Sequence, residues 1–378
     1  MSTAKCSAAC SPKPFFLPSI PTPNPSSPMQ TRRSFLTQVA ATAAVSAFSA
    51  PFIRAADKAG SGQLITGTGA HRYEMIHDWL TAPEGLVWGD TQGLAQDSQG
   101  LIYVAHTVNS TSMRPEAIVV YDAKGKFVRA FGEDMRGGAH GLGVRKEGNR
   151  EFLYHCDTTR SKVIKTTLTG EVVWSKGYPR EDAAYGAAPI KFIPTNIAFA
   201  PNGDFYIGDG YGSYRMLRYS IDGKFLGEIS SPGKGDNEIS NPHGQYVDTR
   251  GKDPVLVIAD RGNRRIQTYT LDGKHLRTIK DDTKLRQPCH FDVRGELMLC
   301  PDLDSQVCLI DKEYNVIAQL GDGIAHNGKT GSRRSQSRAE FTPGEFITPH
   351  GAIFLNNGDI LVAEWLPIGR LTLLRKLS

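Results

Sequence analysis

The stretch PTNIAFAPNGDFYIGD, from Pro194 to Asp209, contains the unit that decides the fold. It reads as two short β-strands on either side of an Asn-Gly turn, and it ends on an acidic residue. A related stretch, PHGQYVDTRGKDPVLVIAD, runs from Pro242 to Asp260. Two such copies along one chain predict a repeated β architecture.

Six segments of the chain share this pattern, and each continues into two further predicted strands. Their equivalent opening residues are Gln92, His140, Thr195, His243, Cys289 and His350, spaced by 48, 55, 48, 46 and 61 residues. Hairpin signals that favour type I′ turns fall between predicted strands at Asn202-Gly203, Asp222-Gly223, Asp272-Gly273 and Asn357-Gly358. The segments resemble NHL repeats, and we therefore expect an all-β fold, a six-bladed β-propeller.

The sixth segment stops after two or three strands, at Leu371–Leu374. We expect the segment Tyr73–Leu80, which precedes the first blade, to supply the missing outer strand and so close the ring without an open edge. The insertion Gly321–Thr348 is rich in Gly, Arg and Ser and is too polar for a strand. It is predicted to be a long loop before the last blade.

The composition is that of a globular protein with a large core, since 39% of the 378 residues are apolar and 22% are charged. The formal net charge of +5 is spread over turns and strands without a basic stripe. This distribution argues against a nucleic-acid partner. Propellers of this length form one domain, so we expect residues 57–378 to be a single propeller, and a monomer.

The first 56 residues do not fit the repeat. Residues 1–28 are rich in Ser and Pro, and we interpret them as disordered or as a mis-assigned start ahead of Met29. Residues 29–56 contain the pair Arg32-Arg33 and then a short apolar run, which resembles a twin-arginine export signal and is too short for a stable membrane span. We expect cleavage between Ala50 and Ala56 and a periplasmic or secreted bacterial protein.

Four cysteines follow the leader, and none has the spacing of a zinc finger. Cys300 and Cys308 lie near the ends of neighbouring predicted strands, where a disulfide could form. Buried free thiols are the favoured interpretation.

The first strand of every propeller blade lines the central channel, so the opening residues form a ring around the axis. His140, His243 and His350 then come from blades two, four and six, about 120 degrees apart. A single channel histidine would most often only bind water, but the strict alternation favours a metal site with an open coordination position. Zinc is the expected ion, and iron or copper would also accept imidazoles.

A second set of residues follows the second strand of each blade, at the same mouth of the channel. It includes Asp209 and Tyr211 in blade three and Asp260 and Arg261 in blade four. The acidic residues either cap turns or bind substrate, whereas a phenol can exchange a proton and a guanidinium can grip a carboxylate. The other blades offer His106, Asp157 and Arg160 at this level.

In this order and at this spacing, the motifs Ala139-His140-Gly141, Asp209-Gly210-Tyr211, Pro242-His243-Gly244, Asp260-Arg261 and Pro349-His350-Gly351 resemble those of peptidyl-α-hydroxyglycine α-amidating lyases. That family folds as a six-bladed propeller and splits a peptidyl-α-hydroxyglycine into a peptide amide and glyoxylate. The resemblance implies that the three histidines hold zinc. It also implies that Tyr211 acts as base and that Arg261 orients the substrate.

The chain departs from the family pattern at two places. The region of the first blade where the family has an arginine reads Val104-Ala105-His106-Thr107, and Arg114 lies further on. His106 is therefore a catalytic candidate that either replaces this arginine or simply fills space. Gly351 follows the third histidine where the family has a calcium-binding aspartate, so a structural calcium is not expected.

Three functions remain open at this point. The first is a metal-dependent lyase acting on a peptide or small molecule in the channel. The second is a non-catalytic NHL propeller that binds a protein or glycan through its loops. The third is a lactonase-like hydrolase, which the imidazole trio argues against because such enzymes use acidic calcium ligands.

Overall fold

The computed structural model describes residues 62–187, 190–327 and 333–377, which fold as a six-bladed β-propeller, as predicted. The two strands that come first in the chain, β1 (Ile65–Thr66) and β2 (Tyr73–Ile76), belong to the last blade. Blade one contains β3 (Thr91–Gln96), β4 (Ile102–His106), β5 (Ile118–Tyr121) and β6 (Phe127–Phe131). Blade two contains β7 (Ala139–Glu147), β8 (Arg150–Asp157), β9 (Lys162–Thr167) and β10 (Val172–Lys176).

The remaining blades follow the same order from the channel outward. Blade three contains β11 (Asn196–Phe199), β12 (Phe205–Gly208), β13 (Met216–Tyr219), β14 (Phe225–Pro232) and the short β15 (Glu238–Ile239). Blade four contains β16 (Pro242–Asp248), β17 (Val255–Asp260), β18 (Arg265–Thr270) and β19 (His275–Ile279). Blade five contains β20 (Asp292–Arg294), β21 (Leu297–Asp302), β22 (Gln306–Ile310) and β23 (Val316–Leu320). Blade six contains β24 (Pro349–Phe354), β25 (Ile360–Glu364) and β26 (Arg370–Lys376).

The outer part of blade six is built from residues near the start of the described chain. Strand β2 pairs antiparallel with β26, with Tyr73 opposite Lys376 and Ile76 opposite Leu373. Strand β1 then pairs with β2. The strands at the two ends of the described chain thereby pair with each other, and this pairing leaves fewer backbone groups exposed without a partner.

Six hydrophobic clusters hold the blades together, one between each pair of neighbours around the ring. Strand β17 contributes side chains to two of these clusters. Leu256 and Ile258 pack toward blade three, whereas Val257 and Ala259 pack toward blade five. Because side chains alternate along a strand, a middle strand with a blade on each side must be apolar at every position.

The Asn-Gly and Asp-Gly turns differ from the type I′ turns that the sequence predicted. In each pair only the glycine has a positive φ, for example 98° at Gly203 and 102° at Gly273, whereas a type I′ turn needs two such residues. The amide of Gly203 bonds to the carbonyl of Ala200, and the amide of Ala200 bonds to Asp204. These are three-residue loops, in which a type I turn precedes a left-handed glycine.

Among the described residues, helical structure occurs only in the connections between strands. Helix α1 (Ala183–Ala187) lies between blades two and three, and α2 (Ile324–Asn327) lies between blades five and six. Short 3₁₀ turns occur at Glu133–Met135, Arg261–Asn263 and Arg338–Glu340. The described part of the insertion from Gly321 to Thr348 contains no strand, as its composition predicted. No described helix has the length and apolar character that a membrane span requires.

Two predictions concern covalent and terminal features. The four cysteines at positions 156, 289, 300 and 308 are all buried free thiols, although Cys300 and Cys308 stand opposite each other in β21 and β22. The predicted export signal and the Ser- and Pro-rich start lie outside the described residues.

Candidate metal centre

Local backbone geometry brings the three predicted histidines to the axis. His140, His243 and His350 are each the second residue of an inner strand, at a point where pairing with the next strand shifts register. Such a β-bulge bends the strand and re-aims its side chain. The three rings converge with centroids 4.9, 4.8 and 4.5 Å apart, and their nearest ligand nitrogens all lie within 4.8 Å of one another.

Backbone carbonyls of the intervening blades hold the rings in place. The Nδ1 atom of His140 lies 2.7 Å from the carbonyl oxygen of Thr195, and that of His243 lies 2.8 Å from the carbonyl oxygen of Cys289. The Nδ1 atom of His350 lies 3.4 Å from the carbonyl oxygen of Gln92. A carbonyl can only accept, so each Nδ1 carries the proton and each Nε2 is left as a lone-pair donor.

The carbonyls that contact the histidines also leave no room for a side chain at the glycine after each histidine. A Cβ atom built on Gly141 would lie 2.4 Å from the carbonyl oxygen of Thr195. One on Gly244 would lie 2.3 Å from that of Cys289, and one on Gly351 would lie 2.3 Å from that of Gln92. The carbonyl that fixes the imidazole therefore also excludes any side chain at the next position. An aspartate at position 351 would meet the carbonyl of Gln92 in the same way.

The Nε2 atoms of the trio are not all satisfied. The hydroxyl of Tyr211 lies 3.1 Å from Nε2 of His140 and 2.9 Å from Nε2 of His243, but its one proton can serve only one of them at a time. The Nε2 atom of His350 is buried and has no hydrogen-bond partner among the described residues. Buried acceptors without a donor are costly. A cation among three convergent imidazoles would satisfy them, so these residues fit a transition metal.

Burial keeps the trio in the form that binds metals. It lowers the pKa of His140 to about 3, and the positive charge of Arg261 acts in the same direction. Burial also lowers the pKa values of His243 and His350 well below the ordinary value. All three imidazoles are therefore neutral at physiological pH, as metal ligands must be.

Tyr211 and Arg261 lie beside the trio, where the sequence placed them. The guanidinium carbon of Arg261 is 5.5 Å from the centre of the Tyr211 ring. Its Nε donates to Oδ1 of Asn241 at 2.8 Å, and Nη1 lies 3.6 Å from the sulfur of Cys289. Among the described residues no carboxylate lies within ion-pairing distance of Arg261. A half-buried cation without a counter-charge suits the binding of an anion.

A cavity of about 440 Å³ opens next to these two side chains. Its walls are formed by Tyr211, Tyr214, Ser240, Asn241, Arg261, Gly262, Arg264, Gln287, Leu303 and Trp365. The sequence reasoning missed Asn241 and Trp365. A signal for Trp365 exists, because it directly follows Glu364 at the end of β25 just as Arg261 follows Asp260 at the end of β17.

The structure favours a structural role for Asp209 and Asp260, the predicted substrate-binding carboxylates. Both are fully buried. Asp209 accepts from the amides of Ile193 at 2.6 Å and Ser213 at 2.8 Å. Asp260 accepts from the amide of Ser240 at 2.7 Å and from Nε of Arg265 at 2.6 Å. These carboxylates accept hydrogen bonds from the protein's own donors and so hold loops to the blades.

His106, the predicted catalytic candidate of blade one, is engaged in the same way. Its Nδ1 accepts from the amides of Val108 at 3.1 Å and Gly89 at 3.3 Å, and its Nε2 donates to the carbonyl of Glu116 at 3.1 Å. The ring is fully buried against Trp88, with centroids 4.7 Å apart. No ring nitrogen is left for a substrate, so the contacts are those of a structural residue.

The other basic candidates of the first two blades are paired elsewhere. Arg160 forms an ion pair of 3.1 Å with Asp157. Arg114 forms one of 2.6 Å with Glu116. Neither arginine lines the cavity beside Tyr211.

Comparison with known proteins gives relatives of two kinds, while no family model matches the chain. Peptidyl-α-hydroxyglycine α-amidating lyase 1 of Drosophila melanogaster is 26% identical over 266 residues, which cover 65% of this chain and 46% of that protein. NHL repeat-containing protein 3 of Homo sapiens is 27% identical over 208 residues, which cover 53% of this chain and 57% of that protein. The chain thus spans about half the length of the curated relatives it matches.

Solved structures share the fold. A streptogramin B lyase structure superposes with a TM-score of 0.54 at 15% identity, covering 83% of this chain and 100% of the other. The virginiamycin B lyase of Staphylococcus aureus does so with a TM-score of 0.52 at 16% identity, covering 81% of this chain and 100% of the other. At such low identity these likenesses concern the propeller architecture alone.

Proposed function

We propose that this chain is a metal-dependent lyase that cleaves a peptidyl-α-hydroxyglycine, or a similar hemiaminal, into an amide and glyoxylate. The observation that carries the proposal is the phenol of Tyr211 between two imidazole Nε2 atoms, with the guanidinium of Arg261, which has no carboxylate partner among the described residues, beside it. The name of the Drosophila melanogaster relative supports the same reaction.

The substrate carries a carboxylate and a hydroxyl on the same carbon, and the two side chains match these groups. Arg261 binds the carboxylate, for which its planar guanidinium offers a bidentate grip. Tyr211 faces the hydroxyl. Because Arg261 is held by Asn241 and Cys289, the carboxylate is bound in one orientation.

The reaction needs one proton to leave the hydroxyl and one to reach the nitrogen. The hydroxyl loses its proton, its oxygen forms the aldehyde C=O bond, and the C–N bond breaks with its electron pair on nitrogen, which is protonated to give the amide. As a phenolate, Tyr211 would accept the hydroxyl proton, and the phenol so formed would donate that proton to the nitrogen.

The proton affinity of Tyr211 links this role to a metal. Burial raises the pKa of the phenol, and the charge of Arg261 counteracts this only in part. A cation bound by the three imidazoles supplies positive charge that lowers the pKa of a neighbouring phenol or hydroxyl. We propose zinc, with another transition metal as the alternative, and no calcium.

We further propose that the protein acts outside the cytoplasm, as a monomer on a peptide or small molecule. The paired arginines and the apolar run of residues 29–56 support export by the twin-arginine route.

Metal analysis of the purified protein tests the first half of the proposal. We expect about one transition-metal ion per chain. His243→Ala should lose the ion, whereas Cys289→Ala, which keeps the carbonyl that accepts from His243, should retain it. A folded chain without metal after incubation with Zn²⁺ would refute metal dependence.

Glyoxylate release from an N-acylated α-hydroxyglycine tests the second half. Metal-loaded protein should release glyoxylate and the amide in equal amounts, and Tyr211→Phe should lower kcat by about 10²-fold or more, the usual contribution of a positioned acid or base. If loaded protein releases no glyoxylate, the lyase reaction is wrong. A metal-free and inactive protein would instead indicate a binding propeller, as the name of the second relative allows.

A further inference from the structure

Trp365 adds an aromatic side chain to the lining of the cavity beside the candidate site. It directly follows β25 of blade six and lines the same cavity as Tyr211 and Arg261. Leu303, which follows β21 of blade five, lines the same cavity. The lining thus combines cationic and polar residues with an aromatic and an aliphatic one.

Arg334 holds the indole in place from the insertion between blades five and six. Its guanidinium carbon lies 3.4 Å from the centre of the Trp365 ring. Its Nε donates to the carbonyl of Trp365 at 2.8 Å. Its Nη2 donates to Asp90, just ahead of blade one, at 2.5 Å. The stacked cation, the backbone bond and the ion pair restrict the tryptophan more than a single contact would.

The charged residues that line the cavity limit which ligands it can bind. None of the described residues that line it is acidic, and two of them, Arg261 and Arg264, are cationic. Arg264 has a carboxylate partner, Asp304, at 3.5 Å, whereas Arg261 has none in the described chain. The space therefore fits a ligand with one carboxylate next to an apolar group, and a basic group in it would meet like charges.

We propose that Trp365 is a specificity-determining residue that binds an apolar or aromatic side chain on the residue preceding the hydroxyglycine, and that Arg334 is the positioning residue that fixes the indole. This assignment rests on the proposed function for the identity of the scissile residue. The preference for an apolar group beside a carboxylate rests on the cavity itself.

Paired substrates test the role of Trp365. With metal-loaded full-length protein, N-acetyl-Phe-α-hydroxyglycine should be cleaved with a kcat/KM about tenfold or more above that of N-acetyl-Ala-α-hydroxyglycine. Trp365→Ala should abolish most of this preference while changing the alanine substrate less than about threefold. Trp365→Phe should keep it. Trp174→Ala is the matched control, because Trp174 is a half-buried indole in β10 that does not line the cavity. An equal loss of preference in the Trp174 and Trp365 variants would overturn the assignment.

Two readouts test Arg334. Arg334→Ala should raise KM for the phenylalanine substrate by about tenfold and leave kcat within about threefold, since Arg334 acts through Trp365 and not on the reacting atoms. Acrylamide should quench the tryptophan fluorescence of Arg334→Ala more than that of the wild type, and this difference should vanish when Trp365→Phe is added. Unchanged KM and unchanged quenching would refute the positioning role.

Binding of unreactive ligands separates this inference from the proposed reaction. If the wild type releases no glyoxylate, calorimetry with N-acetyl-Phe-Gly and N-acetyl-Ala-Gly still tests the cavity. Tighter binding of the phenylalanine compound that is lost in Trp365→Ala supports the aromatic wall without the lyase reaction. Equal affinities, or no binding of either compound, would sink the inference.

Discussion

Two rings of repeated residues surround the channel, and they do different things. The acid ring consists of the residues that close the second strand in five of the six blades, namely Asp157, Asp209, Asp260, Asp302 and Glu364. The histidine ring consists of His140, His243 and His350, in alternate blades. Both rings stand out in the sequence, and both are buried.

Hydrogen bonding distinguishes the two rings. Carboxylates of the acid ring accept from backbone amides of nearby loops, as Asp302 does from Arg286 and Gln287, and Glu364 does from Ile347 and Thr348. In the histidine ring each Nδ1 instead donates to a backbone carbonyl, and the Nε2 atoms are left toward the axis. The acidic residues, which recur in nearly every blade, hold loops to the blades. The histidines, which recur in alternate blades, present free nitrogens to the channel.

Asp260→Asn, in the acid ring, should lower the free energy of unfolding more than any other change predicted for the two rings. The change leaves the buried guanidinium of Arg265 without its counter-charge, and loss of one partner of a buried pair costs about 3–5 kcal/mol. Chemical denaturation should show this loss, while the metal content per folded chain stays at the wild-type value.

Asp272→Asn, on an exposed turn of the same blade, is the control and should leave the free energy of unfolding near the wild-type value. If Asp260→Asn leaves stability intact and instead weakens substrate binding, Asp260 belongs to the site after all.

Gly141→Ala should break the histidine ring through the backbone. The new methyl group would meet the carbonyl oxygen of Thr195 at 2.4 Å, which must move and take the Nδ1 contact of His140 with it. We expect a loss of about 1–3 kcal/mol in unfolding free energy and weaker metal binding. Gly143→Ala in the same strand has its nearest contact at 3.5 Å and should bind metal normally. Equal metal affinities in the two variants would contradict the steric account.

Asp292→Asn, at the other end of the channel, should have an effect that depends on pH. Asp292 accepts from the amide of Phe354 at 2.7 Å and lines a cavity of about 390 Å³. Burial raises its pKa to about 6, so the folded state holds a proton that the unfolded state releases near pH 4. The stability from this proton is complete below about pH 4 and is lost as the pH rises through 6.

Unfolding measured from pH 4 to pH 7 should therefore show the wild type losing about 1–3 kcal/mol relative to Asp292→Asn. Parallel profiles would mean that Asp292 titrates normally.

The candidate site was partly accessible from sequence. The alternation of Pro-His-Gly motifs predicted which residues meet at the axis, because equivalent positions of repeated blades must lie on a ring. The same reasoning named Asp209, Asp260 and His106, whose hydrogen bonds within the protein favour structural roles, because a motif names a side chain but not its hydrogen-bond partners. It also missed Trp365, although its position after Glu364 matches that of Arg261 after Asp260.

The six β units, their order and the three imidazoles could be predicted from the residues alone, because strand periodicity, turn glycines and repeat spacing are local properties of the chain. Which imidazole nitrogens are free depends on the fold, since the carbonyls of Gln92, Thr195 and Cys289 come from neighbouring blades. The same holds for Arg334, which reaches Trp365 and Asp90 from an insertion that follows no repeat. Contacts between segments so far apart along the chain depend on how the blades pack, and no local pattern records them.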